Sequence, residues 1–148
     1  MTSSLRISIV VPDRPTRWTM WTTWAVRVVC ALYLAALTIL LLAADPIAWL
    51  FGVVPDFAPP NRGVHFCAFF ALAVLSAASR LPWKAPILGA VLIAYALTTE
   101  SLQSLVESRT VELFDCSENL LGLAVGGIVW TLGCRLVQAR RAGELPVR

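Results

Sequence analysis

The chain has 148 residues, of which 58% are hydrophobic and 14% charged, with a net charge of +3 and a mean hydropathy of +0.75. A water-soluble domain needs far more charge to cover its surface, so the composition excludes an ordinary soluble globule and makes the bilayer the solvent for most of the chain. The basic residues are few and spread out, most of them toward the two ends, which gives no support to nucleic-acid binding.

Residues 1–20 mix Ser, Thr, Pro and Arg and read as a cytoplasmic arm, with Trp18, Trp21 and Trp24 marking a membrane interface. The run 21–44 is apolar apart from Arg27 and a few Thr, and as a helix it would extend about 36 Å, enough to cross a core of about 30 Å. It is longer than the apolar centre of a cleaved signal peptide, so an uncleaved span is expected. Pro46, Pro55, Pro59 and Pro60 forbid a continuous helix in the next stretch, and Trp49, Leu50 and Phe51 suggest that it lies against the interface.

A second helix, short for a span, is expected over 63–79. A tight turn at Pro82 and Lys84 leads to a third over 83–101, with Pro86 tolerated in its first turn. A fourth follows over 116–135, where Gly122 and Gly126, four apart, would let helix backbones approach closely in lipid. Residues 136–148 form a basic tail. Together these segments predict an all-α integral membrane protein, a bundle of about four transmembrane helices over 21–135.

The basic residues set the expected orientation. Arg6, Arg14, Arg17 and Arg27 against Asp13 give +3, Arg80 and Lys84 give +2, and Arg135, Arg140, Arg141 and Arg148 against Glu144 give +3. The intervening connections are negative: Asp45, Asp56 and Arg62 give −1, while Glu100, Glu107, Glu112, Asp115 and Glu118 against Arg109 give −4. Since Lys and Arg are retained inside, both termini should be cytoplasmic and the acidic connections external.

The external island from Glu100 to Gly122 is where chemistry is expected. Glu100 and Gln103 share one face of the third helix, and Asp115, Asn119 and Gly122 share one stripe of the fourth. Both stripes should point into the bundle, with His65 at the same depth near the outer end of the second helix. Glu100, Arg109, Asp115 and His65 would then converge on an outward-facing pocket, with Gln103 and Asn119 beside them, and ionisable groups at such places are functional by default. A structural reading stands beside this one. Asp115 with Glu118 resembles a capping box, a carboxylate could pair with Arg109, and Asn119 and Gln103 could be interhelical hydrogen bonds. Cys30, Cys67 and Cys134 lie in apolar runs, only Cys116 joins the island, and no spacing suggests a metal site, a redox motif or a cofactor.

The register Glu100-x-x-Gln103, then Arg109, Asp115, Asn119 and Gly122, resembles that of the VanZ-like family over about residues 20–135. The family's Asp-Lys-x-x-His-Phe pattern is matched by Asn61, Arg62, His65 and Phe66, with Asn61 standing where the family has an aspartate. The resemblance implies a small multi-pass protein of the bacterial cytoplasmic membrane, linked to reduced sensitivity to glycopeptide antibiotics, and it assigns no catalytic chemistry. Three functions are compatible with the residues. The favoured one is a non-enzymatic pocket for a lipid-linked or peptidoglycan-related envelope ligand. The others are an enzyme acting on an envelope lipid or lipid-linked sugar, with Glu100 or His65 as base, and an accessory subunit docked through the glycine face. Membrane lipids are the one partner the composition itself implies.

Overall fold

The structure, a computed structural model, describes residues 17–43, 63–103 and 113–142. They form α1 (Arg17–Leu42), α2 (Val64–Ala78), α3 (Ala85–Gln103) and α4 (Leu113–Arg141), with no strand among the described residues. Cross-helix contacts fix the directions. Arg27 and Tyr33 of α1 bond to Ser79 and Ala68, in reverse order along α2, so α1 and α2 are antiparallel. Thr38 meets Tyr95 and Leu41 meets Gln103, in the same order, so α1 and α3 run parallel. Glu100 near the end of α3 meets Asn119 near the start of α4. The path is therefore up, down, up, down, and α1 begins at the end of the bundle where α4 finishes.

Three of the helices, over Met20–Leu42, Ala85–Gln103 and Phe114–Arg141, are long and apolar enough to cross a membrane. The fourth, α2, has 15 residues and a length of about 22 Å, less than a full hydrocarbon core. It is nevertheless the centre of the packing. Phe69, Leu72 and Ala73 of α2 are buried against Leu37 and Leu41 of α1, Ala96 of α3 and Leu123 of α4. That core is small, and many large apolar side chains, among them Trp21, Leu32, Phe114, Ile128 and Leu136, face outward. An apolar exterior of this extent suits lipid as the surrounding medium.

The tightest seam joins α2 to α4. A Cβ added at Gly122 would collide with the Phe66 carbonyl oxygen and lie 2.9 Å from the Phe70 nitrogen. One at Gly126 would lie 2.7 Å from the Phe70 oxygen and 2.8 Å from Ala73 Cβ. Backbone atoms cannot yield as a flexible side chain can, so both positions require glycine at this helix separation.

Both ends of α2 are held from other helices. Gly63, with φ of +87°, supplies the left-handed entry to α2, and its N–H donates to both Glu118 carboxylate oxygens at 3.0 Å. At the other end Arg80 is left-handed, with φ of 47°, an unusual state for a residue with a Cβ. Arg27 explains how it is kept: Nε donates to the Ser79 carbonyl at 3.1 Å, and a terminal nitrogen donates to that of Arg80 at 2.9 Å. A cation at the negative end of a helix dipole satisfies orphan carbonyls and charge together. The guanidinium also lies 5.8 Å from the centre of the Trp24 ring.

Two helices extend three or more residues past the limits expected from the apolar runs. α1 starts at Arg17, because no helix breaker separates Arg17 from the apolar run. α4 runs from Leu113 to Arg141, where 116–135 was expected; Arg135, Leu136, Gln138, Ala139 and Arg140 are good helix formers, and the arginines complement its carboxyl end.

Candidate functional site

The polar stripes of α3 and α4 meet at the end of the bundle opposite the start of α1 and the end of α4. Their inward placement follows from helical spacing: Glu100 and Gln103 continue the face that carries the buried Ala96 and Thr99, and Asn119 lies one turn from Gly122 and Leu123. Asn119 is 1% exposed and sits at the centre. Its Nδ2 donates to Glu100 Oε2 at 3.3 Å, and its Oδ1 lies 3.1 Å from His65 Nδ1.

This amide orientation defines the imidazole. Asn119 Oδ1 can only accept, so His65 Nδ1 carries a hydrogen and donates it. The other ring nitrogen, Nε2, faces Asp115 Oδ2 at 3.7 Å, an ion pair when the ring is protonated. A continuous polar path results, from Glu100, which is 6% exposed, through Asn119 and His65 to Asp115, whose side chain is 36% exposed. Asp115 lies in the first turn of α4, where the helix dipole favours negative charge. Glu100 lies in the last turn of α3, where the dipole does not help it, and the Asn119 amide is one of its donors.

Gln103 is buried beside this path but serves another contact, donating from Nε2 to the Leu41 carbonyl at 2.8 Å near the end of α1. That bond satisfies a carbonyl in the last turn of α1. Glu118 was grouped with Asp115 as a capping box, and the structure corrects this. Asp115 is the third residue of α4, and the Glu118 carboxylate reaches across to the Gly63 N–H. The contact joins residues 55 apart, and no local pattern announces it. A shallow depression of about 570 Å³ bounded by Tyr33, Gly63, Val64, Cys67 and Ala68 opens on the neighbouring face of α1 and α2.

Of the six expected pocket residues, His65, Glu100, Asp115 and Asn119 are brought into one bonded series, and Gln103 is adjacent but separately engaged. Arg109 lies outside the described residues, as do Asn61 and Arg62. Gly122 and Gly126 face α2 within the same chain, which leaves that face of α4 already covered. All four cysteines are free thiols, and among the described residues no three of His, Cys, Asp and Glu are grouped to hold a metal ion.

The fold and the site define a small helical protein with apolar helices suited to a membrane and a polar cluster joining three of them at one end. Compared with protein-family models, with curated proteins and with solved structures, the chain matches none of them.

Proposed function

We propose that the protein is a VanZ-like multi-pass protein of a bacterial cytoplasmic membrane, and that the Glu100–Asn119–His65–Asp115 cluster binds the polar part of a cell-envelope ligand, lipid-linked or peptidoglycan-related. Both termini are cytoplasmic in this reading, since the basic segments fall at their end of the bundle, and the cluster faces outward. An effect on glycopeptide antibiotic sensitivity would follow from binding or sequestering such a ligand.

The observation that carries the proposal is the polar path itself. A carboxyl group among apolar helices is costly, and here it is connected by two hydrogen bonds to an imidazole whose far nitrogen reaches an accessible carboxylate. Asp115 can accept from ligand amine or amide groups in charge-assisted bonds, and a ligand bonded there would be sensed along the path to Glu100. Arg109, in the adjoining external connection, supplies a cation for a phosphate. The glycine face of α4 is occupied by α2, which favours a ligand pocket over an accessory subunit docked through that face.

The test is a titration of the protein in lipid nanodiscs with a polyprenyl-diphosphate-linked disaccharide pentapeptide. Loss of one charge-assisted contact in Asp115→Asn should weaken binding by about tenfold or more. Equal binding by wild type, Asp115→Asn and Arg109→Ala, or no binding by the wild type, would remove the proposal.

A further inference from the structure

A second feature lies at the opposite end of the bundle, where α1 begins and α4 finishes. α3 and α4 meet at Glu100 and Asn119 and diverge from there, and α2 stops short at Ala78. The space left is an open groove of about 980 Å³, bordered by the first half of α3 and the second half of α4, within the size range of sites for small ligands. Its walls are almost wholly apolar. The polar exceptions include two arginines, Arg80 just past the end of α2 and Arg135 on α4, and Trp83 and Trp130 also line the groove.

Neither arginine has a carboxylate partner among the described residues. Arg27 is bonded to the Ser79 and Arg80 carbonyls. An apolar trough lined by two arginines that have no carboxylate partner among the described residues, and by two tryptophans, matches a molecule with apolar chains and an anionic head. Gly89 and Gly127 in the groove walls have no atom within 4 Å of where a Cβ would stand, in contrast to Gly122 and Gly126. They leave the trough open instead of closing a helix seam. A second copy of the chain is a poorer occupant, because a two-fold contact through this face would bring Arg80 and Arg135 of both copies into one seam.

We infer that this groove is a binding site for an anionic phospholipid, with its acyl chains lying between α3 and α4 and its phosphate on Arg80 and Arg135. The site is independent of the polar cluster at the other end. It selects for head-group charge, because a zwitterionic head carries its own cation to the same place.

Delipidated protein in detergent, titrated with phosphatidylglycerol or phosphatidylcholine of identical acyl chains and read by native mass spectrometry, tests the inference. One phosphatidylglycerol should bind per monomer with a preference of about thirtyfold, the ratio that two basic contacts of ordinary strength supply. The double substitution Arg80→Gln with Arg135→Gln should bring the preference close to one. Gly127→Leu, which fills the groove without meeting a packed helix, should abolish binding while helical circular dichroism is retained. Gly133→Leu, at another open backbone position outside the groove, should leave binding unchanged. Equal binding of the two lipids by wild type, a preference that survives the double arginine substitution, or equal loss in Gly133→Leu and Gly127→Leu would overturn it. A lipid-free dimer broken by Gly127→Leu would give the groove to a second copy.

Discussion

Replacing Asn119 with leucine keeps a side chain of similar reach while removing both hydrogen bonds at the centre of the cluster. Interhelical hydrogen bonds in membrane proteins average about 0.6 kcal/mol, so the pair contributes about 1 kcal/mol directly. Glu100, 6% exposed, also loses an amide donor, and an under-satisfied buried group adds about 1–3 kcal/mol. The expected loss is thus about 2–4 kcal/mol. Six tryptophans make reversible unfolding in mixed micelles measurable by fluorescence. The diagnostic comparison is the double variant Glu100→Leu with Asn119→Leu. Removing both partners leaves no buried carboxyl short of this donor, so it should be less unstable than the two single losses added together, by about 1 kcal/mol or more. Strict additivity within about 0.5 kcal/mol would refute the coupling of Glu100 to Asn119.

Gly122→Ala should destabilise by about 1–3 kcal/mol in the same assay, because its Cβ meets α2 backbone, whereas Gly127→Ala should be neutral or stabilising. Similar effects at the two positions would contradict the described seam. Arg27→Met should cost about 1–3 kcal/mol and speed proteolysis around Ser79 and Arg80, whose carbonyls lose their donor. Glu118→Ala should accelerate amide exchange in the first turn of α2 by releasing Gly63, and Glu118→Gln, which keeps an acceptor, should restore most of the protection.

The helical class was legible because apolar runs of bilayer length admit few other folds. The inward faces of Glu100, Gln103 and Asn119 were legible too, since spacings of three and four place residues on one side of a helix wherever it packs. Partners were a different matter. Arg27 read as one more charge in a basic amino-terminal segment, while its role depends on the end of α2, 52 residues away. Gln103 was grouped with the pocket and instead holds the Leu41 carbonyl, 62 residues away. Such pairings depend on the relative height of helices, which periodicity does not encode. Gly122 and Gly126 announced close approach, but only packed coordinates tell them from Gly89 and Gly127, which face open space. The carboxyl end of α4 was underestimated because hydropathy marks where lipid ends, and a helix can continue into water on good helix formers.

His65 is the single histidine of the chain, so its ring resonances in an isotope-labelled sample need no assignment. Recording its side-chain nitrogen spectrum in nanodiscs while adding the polyprenyl-linked disaccharide pentapeptide addresses the polar cluster directly. The ring should carry hydrogen on Nδ1 in the free protein, and its signals should move on ligand addition in wild type and much less in Asp115→Asn. A His65 spectrum unchanged at saturating ligand, or one that moves identically in Asp115→Asn, would contradict a ligand site at this cluster.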